Sequence, residues 1–348
     1  DIRELNVRIE QQSTFVTNLT TGMDRVIVGQ KHLVDSLLIS LLSDGHILLE
    51  GVPGLAKTLA IKTLSQLIDA KYSRIQFTPD LLPADVVGTM IYSQKEEAFQ
   101  VKKGPVFANF VLADEINRAP AKVQSALLEA MQEHQVTIGD ETFALPAPFL
   151  VLATQNPIEQ EGTYQLPEAQ VDRFMFKLLV HNPSLNELKG IVTMTQKTMG
   201  EVANEACNAA QLLEMRETAN QIPVADEVLD FAMMLISATH PDSECASEAA
   251  KKYVRLGSSP RGGQALISAA KVKALMNGRF NVSYSDIASL AYPVLRHRMK
   301  MNFEAIAERI SPDEVIGMIL TEVAKKCNVR LGSEVPSANR AGTNKKNK

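Results

Sequence analysis

Between two short apolar runs the chain reads Gly51-Val52-Pro53-Gly54-Leu55-Ala56-Lys57-Thr58, a spacing suited to holding a polyphosphate. Glycines let the backbone curl until several N–H groups converge on phosphate oxygens. A helix opening at Lys57 and running on through Leu59 would add its positive N-terminal end. Lys57 would reach the β- and γ-phosphates, and the Thr58 hydroxyl would ligate Mg²⁺. Ala56 stands where glycine is usual before the lysine, and its Cβ narrows the allowed backbone angles. Read alone, this bend is also compatible with a plain turn between strand and helix.

A second group follows in Val111-Leu112-Ala113-Asp114-Glu115, where an apolar strand delivers two carboxylates to its end. That edge is where open α/β sheets bind ligands. Asp114 can hold Mg²⁺ through water, and Glu115 can act as general base on the attacking water. An acidic pair at a solvated strand end is the plainer reading of the dipeptide by itself. A third group, Thr154-Gln155-Asn156-Pro157, ends another apolar run. Its amide could hydrogen-bond a γ-phosphate and the water, although Asn-Pro marks turns in any case.

These groups need a scaffold that brings strand ends together. Short apolar runs recur at His46–Leu49, Ser73–Phe77, Phe110–Ala113, Phe149–Ala153 and Phe174–Val180. Such runs fit strands covered on two faces, which means a parallel sheet. Val123, Ala126, Leu127, Ala130 and Met131 mark one face of a helix between them. The expected fold class is α/β, a three-layer core with a five-stranded parallel sheet. Hairpins are expected at Met90–Val106 and at Gln135–Ala144 around Gly139-Asp140. Leu5, Ile9, Val16, Leu19 and Met23 predict an N-terminal helix.

Asn182-Pro183-Ser184 is a plausible boundary, because proline and the residue before it disfavour helix. Beyond it the pattern turns helical, with Val228, Leu229, Ala232, Leu235 and Ile236 on one face and Leu266, Ala269 and Ala270 on another. Ser285-Asp286 offers an N-cap before Ile287, Leu290 and Val294. The domains expected are 1–183 (N-terminal helix and nucleotide-binding core), 184–199 (linker), 200–330 (small helical lid) and 331–348 (disordered polar tail). Arg296, His297 and Arg298 read as a solvated helix end.

Composition narrows the function classes. The formal net charge is −4, there is no Trp, and aromatics make up 5%. A nucleic-acid motor is disfavoured, since such proteins usually show a basic surface. The three cysteines lie far apart without partner histidines, which argues against a zinc site and suits a reducing cytoplasm. No uncharged apolar run approaches the roughly 18 residues of a membrane span.

Taken in order and spacing, the three motifs resemble the AAA+ superfamily, and the closer resemblance is to its MoxR family. That likeness rests also on Val28-Gly29-Gln30, Asp114-Glu115-Ile116-Asn117-Arg118-Ala119, Leu166–Phe174, Ser259-Pro260-Arg261 and Val294–Arg298, spread over roughly residues 20 to 325. The resemblance implies ATP and Mg²⁺ as cofactors. Val28, Gly29 and Gln30 would lie near the adenine, and Gly51 through Leu59 would form the phosphate site. Asn156 would be the first sensor of the γ-phosphate, Arg261 the second, and Arg173 the arginine finger reaching the next subunit's ATP. A finger on a strand edge far from its own phosphate loop implies a head-to-tail interface that closes into a ring, with a hexamer expected.

The family implies chaperone-like remodelling or activation of a client protein complex, often with a partner carrying a von Willebrand factor type A domain. A metal-chelatase motor subunit is the alternative from the same clade, and a non-hydrolysing scaffold is countered by Glu115 and Arg173. Where threading unfoldases carry an aromatic pore loop, this chain has Val86-Val87-Gly88. That favours remodelling over processive threading.

Overall fold

The computed structural model describes residues 2–27, 29–51, 55–157, 162–196 and 206–332. The chain divides into two compact units, one of Gln11–Glu217 and one of Asp1–Glu10 with the residues from Thr218 onward.

The larger unit runs through α1 (Ile2–Asp24, whose first turns belong to the other unit), α2 (Lys31–Leu42), β1 (Ile47–Gly51), α3 (Leu55–Leu67), β2 (Tyr72–Gln76) and α4 (Pro83–Val87). A hairpin of β3 (Gly88–Ser93) and β4 (Ala98–Lys103) precedes β5 (Phe110–Asp114) and α5 (Ala121–Glu133). A second hairpin, β6 (Gln135–Ile138) and β7 (Glu141–Ala144), leads to β8 (Leu150–Gln155), α6 (Glu168–Val171), β9 (Phe176–Val180), α7 (Leu185–Gln196) and α8 (Ala209–Asn220, whose last residues from Thr218 belong to the other unit). The stretch expected as a linker thus carries the helix α7. Both expected hairpins form, and Gly139 takes φ +62° in the second turn, a conformation open to glycine.

The five apolar runs build one sheet in the order β2-β5-β8-β1-β9, with every neighbour pair parallel. Leu48, Val111, Ala113, Val151 and Ala153 face one core, with Val123, Leu127 and Met131 of α5 against them. Ile47, Leu49, Leu112, Leu150 and Leu152 are equally buried on the opposite face. Burial on two sides is why these strands read as continuous apolar runs. The parallel register sets Gln76 opposite Asp114 and Glu50 opposite Gln155. One sheet edge therefore collects the residues that sequence singled out.

His46 locks the far end of the same sheet. Its Nδ1 accepts the Val151 N–H at 3.0 Å, so the ring carries its proton on Nε2 and donates it to the Met131 carbonyl at 3.3 Å. Burial pushes its pKa down to about 3 from 6.5. The folded state holds His46 neutral while the unfolded chain protonates it below pH 6.5. This stability is present above that pH and is lost as pH falls toward 3, by about 1.4 kcal/mol per unit. Between pH 7.5 and 5 the wild type should lose about 2 kcal/mol more than His46→Gln in denaturant titrations. Equal losses would remove His46 from the account.

The second unit holds α9 (Asp226–Ala238), α10 (Glu248–Tyr253), α11 (Pro260–Met276), α12 (Tyr284–Leu295), α13 (Phe303–Glu308) and α14 (Pro312–Lys326). A small antiparallel ribbon of β10 (Val254–Leu256) and β11 (Lys300–Met301) joins them. Leu266, Ala269 and Ala270 are buried as expected. Three expectations need correction. On α9 the buried face is Val228, Phe231, Ala232 and Leu235, the i, i+3, i+4, i+7 stripe, while Leu229 falls beside it and is 38% exposed. The N-cap of α12 is Ser283 rather than Ser285: its hydroxyl accepts the Asp286 N–H, and the Asp286 carboxylate accepts the Ser283 N–H. Arg279 closes that box from outside with bonds of 2.7 and 2.8 Å to the same carboxylate.

Nor is the Arg296-His297-Arg298 segment solvated. His297 and Arg298 are buried, and Arg296 forms a two-bond pair with Asp313 at 2.9 Å. The expected disordered tail lies outside the described residues. Among those that are described, no helix is long and apolar enough to cross a membrane.

Candidate functional site

Lys57 stands in the first turn of α3 and is buried. Burial lowers its pKa, and the negative charges of Asp114 and Glu115 act in the opposite direction. Through β8, Leu48 of β1 lies level with Ala153 and Ala113 of β5, so the start of α3 with Lys57 and the Asp114-Glu115 pair share the edge where β1 and β5 end. Thr58 and Leu59 are half-buried beside Lys57. Val52, Pro53 and Gly54 lie outside the described residues, as do the side chains of Leu55 and Ala56. Gly51 is described, and a Cβ there would meet the Val180 carbonyl oxygen at 2.4 Å. Only glycine fits such a close approach.

Asp114 ends β5 with both carboxylate oxygens engaged. Oδ1 accepts the Thr154 hydroxyl at 2.7 Å, and Oδ2 accepts Arg74 Nη2 at 2.6 Å. Glu115 follows in a left-handed conformation, φ 55°. Its N–H donates to the Thr154 oxygen at 2.9 Å, and its carboxylate pairs with Arg118 at 2.7 Å. Thr154 is 2% exposed. It fixes the carboxylate of one residue and the backbone of the next.

Asn156 is half-buried just past β8, and its carbonyl accepts the Asn117 amide at 3.3 Å. Gln155 and Lys177 both bond to the Glu50 carboxylate, at 2.6 and 2.9 Å, tying the end of β8 and the start of β9 to the residue before Gly51. Gly29 has φ +70°, and a Cβ there would meet Glu187 Cγ at 2.6 Å. The Gln30 carbonyl receives the first bond of α2, from Val34 at 3.1 Å, while Val28 lies outside the described residues. Arg173 is half-buried before β9, and its Nε has no hydrogen-bond partner among the described residues. Arg261 lies in the first turn of α11, in the second unit.

The structure therefore brings Lys57, Thr58, Asp114, Glu115 and Asn156 to one sheet edge. Sequence reasoning missed Thr154, Arg74, Arg118 and the Glu50–Gln155–Lys177 cluster. Only the motif Thr154-Gln155-Asn156-Pro157 pointed toward the first of these.

A sequence model of the ATPase family associated with various cellular activities (AAA) matches residues 46–176, and one of the AAA lid domain matches residues 246–319. The chain is 49% identical over 300 residues to Chaperone MoxR1 of Mycobacterium tuberculosis, covering 86% of this chain and 79% of the relative. It belongs to the MoxR family of AAA ATPases. The MoxR relative YeaC of Bacillus subtilis, itself uncharacterized, is 41% identical over 86% of this chain and 92% of its own. The crystal structure of a candidate ATPase from Cytophaga hutchinsonii superposes with a TM-score of 0.86 at 45% identity, covering 92% of this chain and 97% of the other. The α/β core followed by a helical lid is thus the AAA+ fold, and this MoxR protein is an ATPase that binds nucleotide. AAA ATPases of this kind usually work as oligomers.

Proposed function

We propose that this MoxR ATPase hydrolyses Mg²⁺-bound ATP at the edge formed by Lys57, Asp114 and Glu115, and works as a head-to-tail hexameric ring that remodels or activates a client protein complex. The carrying observation is one buried lysine and two carboxylates at the same sheet edge, next to Gly51, where a Cβ would meet the Val180 carbonyl. The Thr58 hydroxyl and the Asp114 carboxylate are hard oxygen donors, which suits Mg²⁺. The ion, when bound, would neutralise charge on the β- and γ-oxygens.

The chain's own residues supply the rest. Backbone N–H groups between Gly51 and Leu59, Pro53 having none, cradle the phosphates, and Lys57 meets the β- and γ-oxygens. Glu115 accepts the proton of the attacking water on its carboxylate. Asn156 orients that water and the γ-phosphate. Val28, Gly29 and Gln30 border the adenine, and Arg261 senses the γ-phosphate from the lid. Residues 1–183 would then act as the core and residues 200–330 as the lid.

The chaperone role is supported by the relative whose printed name carries that word. A von Willebrand factor type A protein is the proposed partner. The acidic net charge disfavours nucleic acid. Three free thiols support a reducing cytoplasm. Val86 is buried in the core and the Val86-Val87-Gly88 segment holds no aromatic, which supports remodelling over threading.

Arg173 provides the test of the ring. A finger supplied in trans contributes about 10³–10⁵ in rate. Arg173→Ala and Glu115→Gln subunits, each inactive alone, should therefore regain about a quarter of wild-type activity when mixed one to one, because a Glu115→Gln copy still lends its arginine to an intact neighbouring site. No recovery on mixing would place Arg173 outside the neighbour's site.

A further inference from the structure

β2 is an edge strand, and Arg74 and Gln76 alternate onto the same side of it. The register sets Gln76 opposite Asp114, so that side is the one on which Asp114 projects. Arg74 Nη2 reaches along the strand to Asp114 Oδ2 at 2.6 Å and also donates to Gln76 Oε1 at 3.1 Å. The other oxygen of Asp114 is held by Thr154. These two partners differ in kind. Thr154 is a neutral donor, 2% exposed and fixed in the sheet. Arg74 is a full cation whose side chain is 49% exposed. Ion pairs this exposed are weak and easily exchanged.

A divalent cation approaching Asp114 would meet a guanidinium on the oxygen that faces solvent, and like charges at that range repel. We propose that Arg74 is a charge placeholder on Asp114: it neutralises the carboxylate and must leave Oδ2 for Mg²⁺ to bind, and so sets the Mg²⁺ concentration at which the site fills. Gln76 gives the displaced guanidinium a second acceptor on its own strand, so the exchange leaves Arg74 on the sheet edge. The inference rests on Asp114 facing the metal, as proposed above.

The test uses the full chain and a fluorescent ADP analogue titrated with Mg²⁺. Arg74→Gln should lower the half-saturating Mg²⁺ for tight nucleotide binding by about fivefold, and Arg74→Lys, which keeps charge without the fork, by less. Thermal melting of each variant reports whether folding is retained, as expected for an exposed edge side chain. Asp114→Asn should abolish the Mg²⁺ dependence, and Arg74→Gln should then shift nothing further. If Asp114→Asn keeps the dependence, the metal role of Asp114 fails and the placeholder with it. If Asp114→Asn abolishes it but Arg74→Gln gives less than a roughly threefold fall, or a rise, Arg74 orients Asp114 instead and only the placeholder is overturned.

Discussion

Exchanging Glu115 for Gln should leave ATP bound and slow its hydrolysis by about 10²–10⁴-fold, the contribution of a positioned general base. The change is isosteric, and the features that hold the side chain survive it. The backbone of residue 115 remains anchored by its N–H on Thr154. The amide oxygen of Gln can still accept from Arg118, which pairs with Glu115 at 2.7 Å. Only the capacity to take a proton is lost. Phosphate release measured beside nucleotide retention on the protein separates chemistry from binding. Turnover within a few-fold of wild type would show that another group activates the water. The same variant, loaded with ATP, should hold its client long enough for a pulldown to identify it.

Replacing Lys57 with Ala should remove tight nucleotide binding. A buried charged contact is worth about 2–5 kcal/mol when one partner is truncated, which is roughly 30-fold to several thousand-fold in affinity. Stability should suffer far less. Loss of the ammonium leaves Asp114 and Glu115 with cations, because Arg74 and Arg118 pair with them at 2.6 and 2.7 Å. No carboxylate is stranded, so the large penalty for an uncompensated buried charge does not arise. Calorimetry with a slowly hydrolysed ATP analogue, run beside a thermal melt, tells the two effects apart. Retained affinity in a folded variant would end the phosphate reading of residues 51–58.

The scaffold was legible wherever burial imposed a period on the sequence. The central strands β1, β5 and β8 could be read because each is covered on two faces and is apolar up to its last residues; edge strand β2 buries only Ile75. The hairpin at Gly139-Asp140 could be read because its turn demands a glycine. Reading failed where a particular side-chain partner, near or far, decides the outcome. Arg296 and Arg298 look like surface charges in a linear chain. The first is nonetheless held by Asp313, seventeen positions on, and the second by the Val294 carbonyl. Ser283 and Ser285 both precede the periodic run of α12, and only the reach of Asp286 back to residue 283 chooses between them. The role of Thr154 depends on β8 lying beside β5, which no local pattern encodes. The nucleotide motifs were legible for the opposite reason, because their chemistry is packed into a few consecutive residues.

The pairing of β1 with β9 separates two things that one copy must do. Val180 lies opposite Gly51 at the phosphate margin, while the Met175 N–H bonds the His46 carbonyl at the other. β9 itself covers four residue steps from Phe176 to Val180, roughly 13 Å along the strand axis, and Arg173 lies three residues before its start. Gly51 and Arg173 therefore lie toward opposite ends of a stiff two-strand beam. In the proposed ring, tightening of residues 51–58 around nucleotide would pull on a member whose other end serves the next copy's pocket. Occupancy would then pass from seat to seat without any separate relay.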